Sequence, residues 1–449
     1  MHLRSNLLVA SLWWSFAICG VVAAAEPGDG FDVTHYALTL TPDIDRKSVL
    51  GSERITLRVT TTGLSRLAFS GNGLTIDDAR LDGVPVGIAQ EDDQWVFELR
   101  EPLAAGATAT LSLSFHGKPA RGFAGSATSL YTSYFACDWM ICLQDRNADK
   151  ALFSLDLLVP QGMDTLSLGS RDKPQSTPVG LAIHRWRTSI PYSPYLFGFT
   201  VGRYARVEQR VGGSKLVVVS DAVDASDLQR RFADTKAMVR FLSDKAGLPL
   251  PAGGYTQLLV AGGEAQEAAT YSVLGTDTVP DEPGDSGKDW AIVHELAHQW
   301  WGNLVTCATW RDFWLNEGIT TFMTAAWKEH RYGRAAYVAE LDVARARLAK
   351  AGELGFDKPL AWTGEYPSIG TRRAIQYSKG ALFMDLLRRE LGERAFWSGL
   401  RKFTRDHAGG TVTSIDLQRA MERSSRRDLS ALFATWVFDG DPQPRHNRP

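Results

Sequence analysis

The sequence predicts a two-domain α+β protein, with a β-rich first half and a mostly helical second half. Three observations carry that prediction. Apolar residues alternate with polar ones in repeated short runs over residues 32–206. Near Ala225 the apolar spacing changes to three and four residues. The chain has 449 residues, enough to bury two cores.

In the first half, Tyr36, Leu38 and Leu40 alternate with polar neighbours. The same holds for Ile55, Leu57 and Val59, for Trp95, Phe97 and Leu99, and for Leu111, Leu113 and Phe115. Side chains two apart share one face of a strand. Runs of this kind, separated by Gly, Asp and Pro turns, predict an antiparallel β-sandwich-like domain over residues 26–206. Leu228, Phe232, Met238, Phe241 and Leu242 then fall at helical spacings. A strand follows at residues 255–260 (YTQLLV), then a glycine-rich turn, AGGEAQEAATY, at 261–271. After a Pro/Gly/Asp loop at 279–287 the chain reads as helical, and the second domain is placed at 207–449.

With a net charge of −2, no nucleic-acid or anionic-membrane partner is implied. The N-terminus reads as an export leader. His2 and Arg4 precede LLVASLWWSFAICGVV, and Ala23, Ala24 and Ala25 precede Glu26. Residues 1–25 are therefore expected to be removed, with an uncleaved anchor as the alternative, leaving a mature chain with no stable membrane span, exported to the periplasm or secreted. Three cysteines then remain. Cys137 and Cys142 are close enough to bridge a small loop or to stay as two buried thiols, and Cys307 has no evident partner.

The chemistry lies in residues 292–303, IVHELAHQWWGN. His294 and His298 are four apart, on one face of a helix, where two imidazoles share a metal. Glu295 lies beside them, placed to face a water on that metal. Eighteen residues separate His298 from Glu317, which stands in WLNEG and supplies a third ligand. Two His and one Glu leave a fourth zinc position open, the arrangement of a catalytic site. Trp300, Trp301, Trp310 and Trp314 flank these segments and read as core packing. Arg372 and Arg373 read as solvated or paired loop cations.

HELAHQWWGN followed by WLNEG resembles the aminopeptidase N family of gluzincin zinc metallopeptidases. DVTHYALTLTPDI, ALFSLDLLVP, SPYLFGFTVGRY and DLSALFATWVFDGDPQP extend the resemblance over almost the whole mature chain. It implies a thermolysin-like catalytic domain, one Zn2+ per chain and peptide substrates cleaved at their N-terminal residue. It also implies a short two-domain form, without the helical C-terminal domain of longer members. In QYSKG, Tyr377 matches the family's YxKG tyrosine, which stabilises the oxyanion of the tetrahedral intermediate. The family's GxMEN turn carries a glutamate that grips the substrate's α-amine. Here only a glutamate of that motif survives. Glu264 is the expected anchor, at the strand's end among small residues; Glu267 is the substitute if the register shifts, and otherwise a surface-turn residue. Because that motif is degenerate, a zinc peptidase with relaxed or internal specificity stays open, as does an exported peptide-binding protein without activity. Oligomeric state and side-chain preference are not legible.

Overall fold

The computed structural model describes residues 26–438; the leader read at 1–25 lies outside the described residues. Phe31–Asp43 and Ser48–Val59 form a long antiparallel hairpin at the centre of a large sheet. Thr108–Gly117 and Thr75–Leu81 extend it on one side, and Leu152–Pro160 and Leu181–Arg187 on the other. One pairing departs from the expected antiparallel pattern: Leu152–Pro160 runs parallel to Phe31–Asp43. The long connection between these two strands leaves room for the return that a parallel pairing needs. A three-stranded sheet (Leu64–Ser70, Gln94–Leu103, Gly87–Glu91) belongs to the same core. Tyr36, Leu38, Ile55, Leu57, Phe97, Leu111 and Phe115 are all buried there, as their alternation requires.

A five-stranded sheet joins the two halves, in the order Ala205–Val211, Ser214–Ser220, Gly254–Val260, Tyr271–Gly275, Ala265–Ala268. Its three inner strands run parallel. Both faces are buried, which explains the nearly continuous apolar runs VVV and LLV. Val217, Val219, Leu258, Val260 and Val273 face the N-terminal core, while Leu216, Val218, Leu259 and Leu274 pack on the helical core. Each fully buried aliphatic side chain stabilises by roughly 1.5–3 kcal/mol. Surface ion pairs contribute about 0–1 kcal/mol each, so it is this shared sheet that fixes one half against the other.

Beyond the sheet the chain is helical. Trp290–Ala297, Trp314–Tyr332, Arg334–Glu353 and Gly380–Asp406 are the main helices around the candidate site. Trp300, Trp301, Trp314 and Trp327 are fully buried among them. The Trp301 indole donates to Thr404 Oγ1 and that of Trp314 to Ser414 Oγ, which satisfies their only polar atoms. No helix of the described residues is long and apolar enough to cross a membrane.

Candidate metal centre

The helix Trp290–Ala297 is short, and His298 follows it still in helical conformation. His294 and His298 thus project one turn apart toward the next helix, whose first turn carries Glu317. Glycines set how closely these elements approach. A Cβ on Gly318 would lie 2.7 Å from the Gly380 Cα, so WLNEG and YSKG pack backbone to backbone. Glu317 and Tyr377 are thereby brought to the same place.

The three expected ligands converge. His294 Nε2 lies 3.2 Å from Glu317 Oε2 and 3.2 Å from His298 Nε2, and His298 Nε2 lies 3.4 Å from Glu317 Oε2. Ligand atoms at 2.0–2.2 Å from a tetrahedral zinc stand about 3.3 Å apart, so this triangle fits the ion. The other ring nitrogen of His298, Nδ1, is 3.1 Å from the Trp301 carbonyl. That bond makes Nδ1 the protonated nitrogen and leaves the Nε2 lone pair for a metal. Glu295 is buried beside the triangle, and its Oε2 has no hydrogen-bond partner among the described residues. Tyr377 lies on a π-helical turn, Arg373–Lys379, a distortion that often marks functional sites. Its ring stacks on His294, with centroids 6.0 Å apart.

The two candidate amine anchors stand in different surroundings. Glu264 is partly exposed, and Tyr131 donates to its Oε1 at 3.5 Å. It stands outside the buried cluster. Glu267 is only 8% exposed and lies with Glu295 and His298, one ligand atom of each within 4.8 Å of the others. The segment expected as a turn is in its second half a strand, Ala265–Ala268, paired antiparallel with Tyr271–Gly275. Two residues of the histidine motif secure it. Gln299 accepts from the Thr270 amide and donates to the Ala268 carbonyl, and Asn303 donates to the same carbonyl. Gln299 and Asn303 are positioning residues that the motif reading passed over. A signal for Glu267 was present: with Glu264 in the place of the GxMEN glycine, Ala265, Gln266, Glu267 and Ala268 fall on the rest.

The electrostatics follow from burial. Burial, with the nearby Glu317 charge, lifts Glu267 to about 7 against the pull of His298. Burial and the Glu267 and Glu317 charges hold Glu295 well above the usual carboxylate range. Burial works against ionised Glu317 too, but His298 and His294 outweigh it and bring it down to about 2. His298 moves the other way: the three carboxylates overcome its burial and raise it to about 10. Burial and the Glu317 and Glu267 charges push the Tyr377 phenol well above its ordinary value, so it stays protonated. The Arg373 charge also acts on Glu295, pulling it down slightly against its burial. Arg372 is held by Gln376 and rests over Phe313.

The N-terminal half reaches this site directly. Lys150 donates to the Asn303 and Leu304 carbonyls just past the histidines. Tyr195 donates to the Gly302 carbonyl and accepts from Asn316, next to Glu317. Tyr134 donates to the Ala265 carbonyl on the strand that carries Glu267. Cys137 and Cys142 form a disulfide in the loop that presents Tyr134, and Cys307 is a buried free thiol.

Comparison with known proteins agrees with this geometry. Residues 286–436 match the Peptidase family M1 domain. Aminopeptidase 2 of Candida albicans is 24% identical over 90% of this chain and 46% of its own length. Aminopeptidase N of Lactococcus lactis is 25% identical over 91% of the chain and 51% of its own. The chain thus spans about half the length of these aminopeptidases. The M1 zinc metallopeptidase of Deinococcus radiodurans superposes with a TM-score of 0.77 at 25% identity, covering 94% of this chain and 95% of that one. A mutant of it bound to a Tyr-Ser-Ala substrate gives the same score at 25% identity, covering 94% and 96%. Residues 286–436 thus match the Peptidase family M1 domain, and the chain as a whole is similar in fold to a two-domain M1 zinc metallopeptidase.

Proposed function

We propose that this protein is a zinc-dependent aminopeptidase that removes N-terminal residues from peptides. The observation that carries the reading is the second buried carboxylate. Glu267, Glu295 and Glu317 place up to three negative charges around two histidines in one buried site. Buried charge has to be matched by opposite charge. One zinc per chain supplies two positive charges at His294, His298 and Glu317, and a substrate ammonium at Glu267 supplies the third.

Bound zinc would contribute a Lewis acid and a water of lowered pKa. The remaining chemistry belongs to the chain. Glu295, desolvated and with Oε2 unpaired, accepts the proton of the attacking water and returns it to the leaving amine. Tyr377, kept protonated by its surroundings, donates to the oxygen on which negative charge develops. Glu267 holds the free α-amine and so sets the cut one residue in. The named activities of the similar proteins support the substrate class. The leader read at residues 1–25 supports an exported enzyme, periplasmic or secreted.

The test compares hydrolysis of a short peptide bearing a free N-terminus with that of its N-acetylated twin, by zinc-loaded protein. The acetylated peptide should be cleaved far more slowly. Equal rates would reject the amine anchor and leave a zinc peptidase without exopeptidase specificity.

A further inference from the structure

Ala265–Ala268 is the outer strand of the five-stranded sheet. In an antiparallel ladder, backbone groups point alternately toward the neighbouring strand and away from it. The Gly275 amide donates to the Glu264 carbonyl, so Glu264 points inward. Ala265 and Glu267 therefore present their N–H and C=O groups outward, along an open edge that begins beside the metal triangle. An extended peptide whose amine sits at Glu267 adds to such an edge as a further strand. To run past Ala265 it needs that residue's carbonyl as an acceptor.

That carbonyl already has a donor. The Tyr134 hydroxyl donates to it at 2.6 Å. Tyr134 arrives from the N-terminal half with a φ of 45°, a left-handed conformation that residues other than glycine rarely adopt. Such a conformation persists only where its surroundings impose it, and it clusters at ligand clamps. Here Gln144 donates to the Tyr134 carbonyl and accepts from the Cys137 amide, the Ser133 amide donates to Gly122, and the Cys137–Cys142 disulfide closes the loop. The residue is nonetheless 43% exposed, so its ring can swing toward solvent without opening a core.

We propose that Tyr134 gates this strand edge: its phenol occupies the Ala265 carbonyl in the free protein and yields it to a backbone N–H of a bound peptide. The inference rests on the peptidase reading above and adds a consequence. A free amino acid, the product, has no amide N–H beyond its own amine and leaves Tyr134 in place. A peptide N–H competes with it for the outward side of the Ala265 carbonyl. The phenol therefore weakens peptides and is indifferent to single amino acids.

The experiment uses zinc-loaded protein carrying Glu295→Gln to suppress turnover, with and without Tyr134→Phe. Calorimetry measures Kd for a tripeptide with a free N-terminus and for its N-terminal amino acid alone. Removing the hydroxyl should lower the tripeptide Kd about 2- to 10-fold, the scale of one net hydrogen bond, and leave the amino-acid Kd unchanged. In the active protein, Tyr134→Phe should lower KM for the tripeptide with little change in kcat. A weaker or unaltered tripeptide Kd would overturn the gate, and so would an equal shift for both ligands. If the Glu295→Gln protein binds no tripeptide and the wild type hydrolyses none, the peptidase reading itself falls and the gate with it.

Discussion

Glu53 and Glu267 are both buried glutamates, and the regions around them could hardly differ more. Glu53 lies inside the N-terminal sheet, 1% exposed. Its Oε2 accepts from the Ile141 amide, and its Oε1 has no partner among the described residues. Burial alone dominates it and holds its pKa well above the ordinary value. A lone acid in such a place stays protonated and serves packing. Glu267 shares its surroundings with Glu295, Glu317 and His298. Neutralising every carboxylate in that crowd would waste two histidines aimed at one point. The difference between a solitary buried acid and a cluster of them is the difference between a structural group and a site built for cations.

The sharpest way to break this contrast is Glu295→Gln. The amide keeps the volume and loses the base. General acid–base catalysis contributes about 10²- to 10⁴-fold, so kcat should fall by that order while zinc content, measured by metal analysis of the purified protein, stays at the wild-type level. Near-full turnover in this variant would mean that another group accepts the proton.

Next in size is the comparison between the two carboxylates of AGGEAQEAATY. Loss of a hydrogen bond to a charged group costs about 1.5–3 kcal/mol, which is about 10- to 100-fold in kcat/KM. Glu267→Gln should show that loss for free-amine peptides, and Glu264→Gln should stay within a few-fold of wild type. The reverse ranking would return the anchor to Glu264 and require the strand edge to rearrange on substrate binding.

This pair of residues also marks where the sequence stopped being legible. Alternation foretold the interior of the N-terminal sheet because burial on one face of a strand depends only on period two. His294, His298 and Glu317 were visible because helical geometry fixes i, i+4 neighbours and the WLNEG segment opens the next helix with the third. Glu267 was harder. Its orientation depends on pairing with Ser272 and on Gln299 and Asn303 holding Ala268, none of which is local. The glycines of residues 261–263 suggested a turn that in fact ends before Ala265. Tyr134 was harder still, since it reaches Ala265 from far upstream in a conformation that no periodicity announces. The Cys137–Cys142 bridge was an open alternative for the same reason: proximity in sequence does not decide proximity of side chains.

The smallest expected effect tests the solitary member of the comparison. Glu53 has a folded-state pKa raised above that of the unfolded chain, and Asp149, near the same core, is lifted to about 7 by burial and by Asp32. For such groups the folded state binds the extra proton, so stability declines as pH rises from the unfolded value, about 4, toward the folded one. Wild-type thermal stability should therefore fall across this window, Asp149 contributing up to about pH 7. Glu53→Gln keeps an acceptor for the Ile141 amide and has no charge to bury. Its melting temperature should decline less steeply with pH, and its peptidase activity should match wild type. An identical slope would mean that Glu53 ionises at little cost in place, and that a solitary buried acid in this sheet is better solvated than its surroundings indicate. A loss of activity would mean that the sheet and the cleft are coupled through Ile141 and the disulfide loop that carries Tyr134.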